Sequence, residues 1–301
     1  MSAVIVPIVP KTQLSRVLFT TDFTEASCKA LPLLAAIARR YQAKVFVGHV
    51  WAPRPYPLVA PEVVAILDRQ AERGSKRELE KYLLLNSQAM DGMKAELLLS
   101  RGKPAHEIAR LADRHDISLV VMSTHGRTGF KHRVLGSVAE EVVRTLRCPV
   151  LTVGPRLAER FAKVDSMKSI LFPTDFSIES LAVFPYLASI AHEYQSRITI
   201  LHVLPPETAG SPEANNQAER LREQMKRALV KEISPQCVAD YVVDSGDPAK
   251  TILGHARRID ADLIGLGVRG ATDIAWHFHE TVAYRILTEA ECPVLTRHTA
   301  R

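Results

Sequence analysis

The sequence predicts an α/β protein written twice: two tandem domains, each a mainly parallel sheet of five strands with helices on both faces. Three observations carry this. The chain repeats itself: RVLFTTDFTEAS at Arg16 returns as SILFPTDFSIES at Ser169, and GHVWAP at Gly48 as LHVLPP at Leu201. RGKPAHEIARLADRHDISLVVM at Arg101 returns as SGDPAKTILGHARRIDADLIGL at Ser245, and RCPVLTV at Arg147 as ECPVLTR at Glu291. Within each copy, short runs rich in β-branched residues alternate with longer helical patterns. Finally, 301 residues are long for one core and comfortable for two domains, placed at 1–155 and 156–301.

The elements of the first copy follow in order. Residues 17–21 and 44–49 are short, apolar and β-prone, as strands require. Between them, 25–41 carries Leu31, Leu34, Ile37, Ala38 and Tyr41 at helical spacing. Pro32 should kink that helix or mark its true start. Residues 64–85 form a long amphipathic helix and 96–100 a strand. Residues 104–115 form a helix opened by proline in its first turn, and 119–122 a fully apolar strand. A helix over 137–146 and a strand over 150–153 close the unit. The second copy repeats the scheme over 168–297, after a polar joint at 155–168 that looks helical over 157–163.

The step between copies is 153 residues early on (16 to 169) and 144 later (101 to 245). The first copy therefore holds extra residues between His49 and Gly102. The Pro-rich WAPRPYPLVAPE is the expected place for them.

Composition narrows the function. The formal charge of +6 suits a small anionic ligand, yet no basic tract with interleaved aromatics argues for nucleic acid. Cys28, Cys148, Cys237 and Cys292 lie far apart in apolar surroundings without a CxxC. That pattern suits reduced, buried thiols in a cytoplasmic protein rather than disulfides or zinc. MSAVIVPIVPK is apolar but short and broken by Pro7 and Pro10, so it reads as neither signal peptide nor membrane span.

In doubly wound sheets, ligands sit beyond the carboxyl ends of the strands, where the winding reverses. Three segments should converge there: Thr20-Thr21-Asp22, His49-Val50, and 122–137. The last runs from a strand end through a glycine-bearing loop to a helix opening at Gly136-Ser137. A helix starting on Gly-Ser points free N–H groups and partial positive charge outward, a natural seat for phosphate.

The spacing of Ser123, Gly126, Gly136 and Ser137 resembles the universal stress protein nucleotide loop: Gly, two residues, Gly, nine residues, Gly, then Ser or Thr. Ser123 replaces the first glycine. The likeness covers the chain twice. It implies two flavodoxin-like, Rossmann-like domains of strand order 3-2-1-4-5, paired through 150–153 and 294–297 as an internal pseudo-dimer, with a homodimer possible beyond that. It further implies that Asp22 lies near ribose and base and that the Val50 backbone meets the adenine edge. Met122 and Ser123 would line the nucleoside, while His125 and Gly126 open the phosphate loop. Gly136, Ser137 and the Val138 N–H would hold phosphate oxygens. Arg127 and Lys131 could add cationic clamps. The cofactor implied is ATP, or ADP or AMP, with Mg²⁺ accompanying it.

Each residue has a plainer reading. Asp22 could cap the helix beginning near Thr24, and Ser137 could cap its own. His125 could be a satisfied loop histidine and Met122 a core residue. Ser123 matters most: it is harmless if the backbone there stays extended, and it weakens binding if positive φ is required.

In the second copy the loop reads Gly267, Gly270, then Glu280-Thr281. A carboxylate about 4 Å from a phosphate would repel it by roughly 4 kcal/mol at an effective dielectric near 20. This domain should keep the fold and lose triphosphate binding, with Asp175, Val203 and Leu266 left around an empty or nucleoside-sized cleft. Gly265, Gly267 and Gly270 match GxGxxG by letter, but after the fourth strand rather than the first. His277 and His279 lack a third ligand for a metal. No P-loop and no nucleophile elbow appears. The expected function is adenine-nucleotide binding with little turnover, in a stress-linked sensor read by a regulatory protein. A nucleotide-free scaffold and a slow ATP hydrolase are the alternatives.

Overall fold

The computed structural model describes residues 13–52, 60–90, 92–124, 134–154, 156–157, 166–208, 212–229, 233, 237–268 and 281–299. The chain divides into two compact units, one starting at Leu14 and the other holding the second repeat.

The first unit runs β1 (Arg16–Thr20), α1 (Glu25–Cys28), α2 (Leu31–Tyr41), β2 (Lys44–Trp51), α3 (Pro61–Leu85), β3 (Ala95–Arg101), α4 (Pro104–Arg114), β4 (Leu119–Ser123), α5 (Ser137–Thr145) and β5 (Val150–Val153). Its strands pair in parallel in the order β3-β2-β1-β4-β5. Val17, Leu18 and Phe19 are consecutive and fully buried, so both faces of β1 are covered. Leu31, Leu33, Leu34 and Ile37 of α2 and Ile108 and Leu111 of α4 join that core.

The second unit runs β6 (Ser169–Pro173), α6 (Ile178–Leu181), α7 (Phe184–Tyr194), β7 (Arg197–Leu204), α8 (Pro212–Leu229), β8 (Ala239–Ser245), α9 (Pro248–Arg258), β9 (Leu263–Val268), α10 (Val282–Glu289) and β10 (Val294–His298). Its parallel order β8-β7-β6-β9-β10 is the same winding. No described helix is long and apolar enough to cross a membrane.

Three expectations need correction. The single helix over 25–41 is two, α1 and α2, with Pro32 in the first turn of α2, where its missing N–H costs nothing. The extra residues of the first copy lie mainly in a helix: α3 has 25 residues and α8 has 18. Proline at the start of each helix punctuates both alike, so composition alone misplaced the insertion. Third, all four cysteines are free thiols, but only Cys292 is buried. Cys28 ends a one-turn helix, and Cys148 and Cys237 sit in connections, where side chains stay half-exposed. The joint helix expected over 157–163 lies outside the described residues apart from Leu157.

Candidate functional site

The turn after β1 is built by side-chain hydrogen bonds. Phe23 takes the left-handed conformation at φ 67°, which a bulky residue adopts only when its surroundings hold it there. Its N–H donates to Thr21 Oγ1 at 3.0 Å, and its ring stacks on His49 with centroids 4.1 Å apart. His49 Nδ1 lies 2.8 Å from the Thr21 carbonyl. The second copy repeats the device: Phe176 at φ 62°, its N–H on Thr174 Oγ1, and His202 Nδ1 2.8 Å from the Thr174 carbonyl.

Asp22 is not the helix cap. Thr24 is, its hydroxyl accepting from Ser27 N–H at 3.4 Å. Asp22 instead braces the cap: Oδ1 accepts from Thr24 Oγ1 at 2.6 Å and from Thr24 N–H at 3.2 Å. A return to the backbone two residues on is a closure that aspartate favours in turns. The carboxylate is thereby fixed at the strand end.

Ser123 is the last residue of β4, paired with Val153, and its φ is not positive. The backbone there is extended, and a serine fits it without strain. Thr124 N–H then donates to the Val153 carbonyl at 2.9 Å, and Gly136 N–H donates to the Thr124 carbonyl at 2.8 Å. Those two bonds pin Thr124 and Gly136 together at the mouth of α5.

Gly136 is the N-cap of α5 and, having no side chain, caps nothing. Ser137 is the first helical residue rather than the cap. The first-turn amides of α5 therefore have no side-chain partner from the capping position, and they carry the positive end of the helix dipole.

These pieces meet in one cavity of about 800 Å³. Thr20, Thr21, Asp22, Val50, Met122, Ser123, Gly136, Ser137 and Val138 all line it. His125, Gly126, Arg127 and Lys131 lie outside the described residues. Sequence reasoning missed the opposite wall: Leu67, Asp68, Ala71, Ser75 and Glu78 from one face of α3, with Trp51 at the end of β2. The spacing of three or four residues was visible in α3, but nothing in it distinguished a cavity wall from a solvated face.

The second unit departs at the equivalent places. Thr281 is the N-cap of α10, and its hydroxyl accepts from Tyr284 N–H at 3.1 Å, so this helix satisfies one of its own first-turn donors. Gly267 occupies the position of Ser123. A Cβ added there would overlap the Glu179 carbonyl, because the backbone of α6 rests on the end of β9. Asp175 keeps the bracing role of Asp22, with Oδ1 accepting from Ser177 Oγ at 2.5 Å and from Ser177 N–H at 3.0 Å. Gly270, Glu280, His277 and His279 lie outside the described residues.

Fold and site together define a flavodoxin-like, doubly wound α/β protein with tandem units and a crevice at the strand ends of the first. The chain belongs to the universal stress protein family, whose model matches residues 14–154 and 167–297. It is 30% identical over 139 residues to universal stress protein MJ0531 of Methanocaldococcus jannaschii, covering 46% of this chain and 81% of that protein. It is 29% identical over 145 residues to universal stress protein YxiE of Bacillus subtilis, covering 46% of this chain and 98% of that one. Each of these relatives aligns with under half of the tandem chain. The crystal structure of a universal stress protein from Archaeoglobus fulgidus covers 96% of this chain and 98% of its own, with a TM-score of 0.72 and 21% identity. That last likeness is one of fold.

Proposed function

We propose that the first unit binds an adenine nucleotide, ATP or its di- or monophosphate, and that the second unit is a structural partner without triphosphate binding. The observation that carries this reading is the cavity of about 800 Å³, in which the bare N-terminus of α5 faces the strand-end residues of β1, β2 and β4. A volume of this order is ordinary for a small-molecule site. The polyphosphate would lie on the Gly136, Ser137 and Val138 backbone, where the Ser137 and Val138 amides, without a capping side chain, and the dipole favour an anion. The Ser137 hydroxyl adds a charge-assisted hydrogen bond. Asp22, held by Thr24, would face the ribose, and Val50 the base edge. Mg²⁺ would enter with the phosphates, and His125, Gly126 and Arg127 would complete their enclosure.

Binding rather than turnover fits this arrangement, and a regulatory protein that distinguishes the filled from the empty crevice would make it a sensor in a stress response. Calorimetric titration of the full chain with Mg-ATP, Mg-ADP and AMP tests the reading. Saturable uptake of at least one of them supports it. Heat no greater than dilution for all three would leave the nucleotide-free scaffold as the better account.

A further inference from the structure

Trp51 ends β2 directly after Val50 and borders the cavity. Its strand partner in register is Arg101, the last residue of β3. The Arg101 guanidinium sits over the Trp51 ring, 5.6 Å from its centroid, and Nη2 lies 2.5 Å from Asp68 Oδ2 on α3. Asp68 is itself a cavity residue, and its side chain is only 18% exposed. A cation over an aromatic face gains from the ring quadrupole, and a carboxylate behind the cation fixes its place. The indole is thus held at the crevice by a three-residue stack spanning β2, β3 and α3.

Among the described residues, the second copy has none of this. The positions of Trp51 and Arg101 are taken by Leu204 and Ser245, and α8 is shorter than α3. The stack occurs in the unit with the bare helix N-terminus and is missing from the unit whose helix caps itself.

We propose that Trp51 is the platform on which the base of the ligand stacks, and that Arg101, fixed by Asp68, is a positioning residue that sets the plane of the ring. This rests on the nucleotide reading of the same crevice and adds to it a binding residue and a preference. Every base offers a π-face to an aromatic platform, and a purine overlaps an indole over more area than a pyrimidine does. The site should therefore take ATP in preference to CTP.

The test uses the full chain carrying Trp276→Phe, so that Trp51 is the one remaining tryptophan. ATP should quench its emission along the same isotherm that calorimetry gives. Trp51→Leu, which installs the residue of the second copy, should weaken ATP about tenfold and bring the ATP and CTP affinities together. Inorganic tripolyphosphate, which has no base, should lose much less. Arg101→Gln should reduce the quench amplitude and weaken ATP by a smaller factor. If ATP binds the parent chain but Trp51→Leu binds it equally well, or loses ATP and tripolyphosphate alike, the platform is refuted while the nucleotide site stands. If the parent chain takes up no ATP at all, the nucleotide site is refuted and the platform with it.

Discussion

The hydroxyl of Tyr82 lies 2.9 Å from that of Ser27, joining the long helix α3 to the turn that carries Asp22. Ser27 donates to the Thr24 carbonyl at 2.7 Å, so it is free to accept from Tyr82 and from Thr21, whose Oγ1 is 2.9 Å away. One wall of the crevice is thus hydrogen-bonded to its floor through three buried hydroxyls. Tyr82→Phe removes the bond while keeping the ring. It should lower stability by about 1–2 kcal/mol, read by denaturant unfolding, and loosen nucleotide binding because α3 loses its anchor.

Burial, followed by the neighbouring Cys28 thiol, pushes the Tyr82 phenol well above the ordinary tyrosine range. The sign follows from linkage. The folded protein holds this proton more tightly than the unfolded chain does, so the contribution is complete below the unfolded value, near 10.0, and is lost as pH rises past it. Thermal stability of the wild type should therefore fall more steeply above pH 10 than that of Tyr82→Phe. Parallel curves would show that the phenol does not titrate as its surroundings require.

The same two positions carry an ion pair in each unit, with the signs exchanged. Lys103 Nζ is 2.7 Å from Glu141, and Asp247 is 2.9 Å from Arg285 Nη1. The pairs are not of equal weight. Lys103 caps α4 with no side-chain bond, whereas Asp247 also accepts from Lys250 N–H at 2.9 Å and so caps α9. Lys103→Ala should change stability by less than about 0.5 kcal/mol, and Asp247→Ala should cost about 1 kcal/mol. The Lys250 amide, then Arg285, lowers the Asp247 carboxyl below its usual value of 3.8. That contribution is present above the unfolded value and is lost as pH falls through the folded one. The difference between wild type and Asp247→Ala should narrow in acid unfolding below about pH 4.

Gly267 permits the backbone of α6 to lie on β9. Gly267→Ser should force the helix away and destabilise the second unit by about 1–3 kcal/mol. Proteolysis that reads each unit separately should show the loss confined to the second. An unchanged second unit would mean that α6 moves aside at no cost.

Much of this was legible in the chain. The repeat and its strand–helix alternation dictate two parallel sheets, because apolar runs too short for helices, separated by amphipathic ones, have few other ways to bury both faces. The strand-end residues of the crevice follow from the winding, which is why Asp22, Val50, Met122 and Gly136 come together. What escaped were effects of geometry rather than of residue type. Asp22 and Ser137 are both good capping residues, yet Thr24 and Gly136 take those places, since a cap is decided by where the backbone turns. The left-handed Phe23 carries no sequence signal of its own, because phenylalanine is not a residue expected at positive φ. The second site was expected to fail by repulsion from Glu280. The described residues show two other differences from the first unit, the Thr281 cap and the α6 backbone over Gly267.

Equilibrium dialysis of the full chain against saturating labelled Mg-ATP, with wild type and Gly136→Glu side by side, tests the central claim most directly. One nucleotide bound per wild-type chain, with none retained by Gly136→Glu, is the expected result. Two per wild-type chain, or one still held by Gly136→Glu, would contradict it.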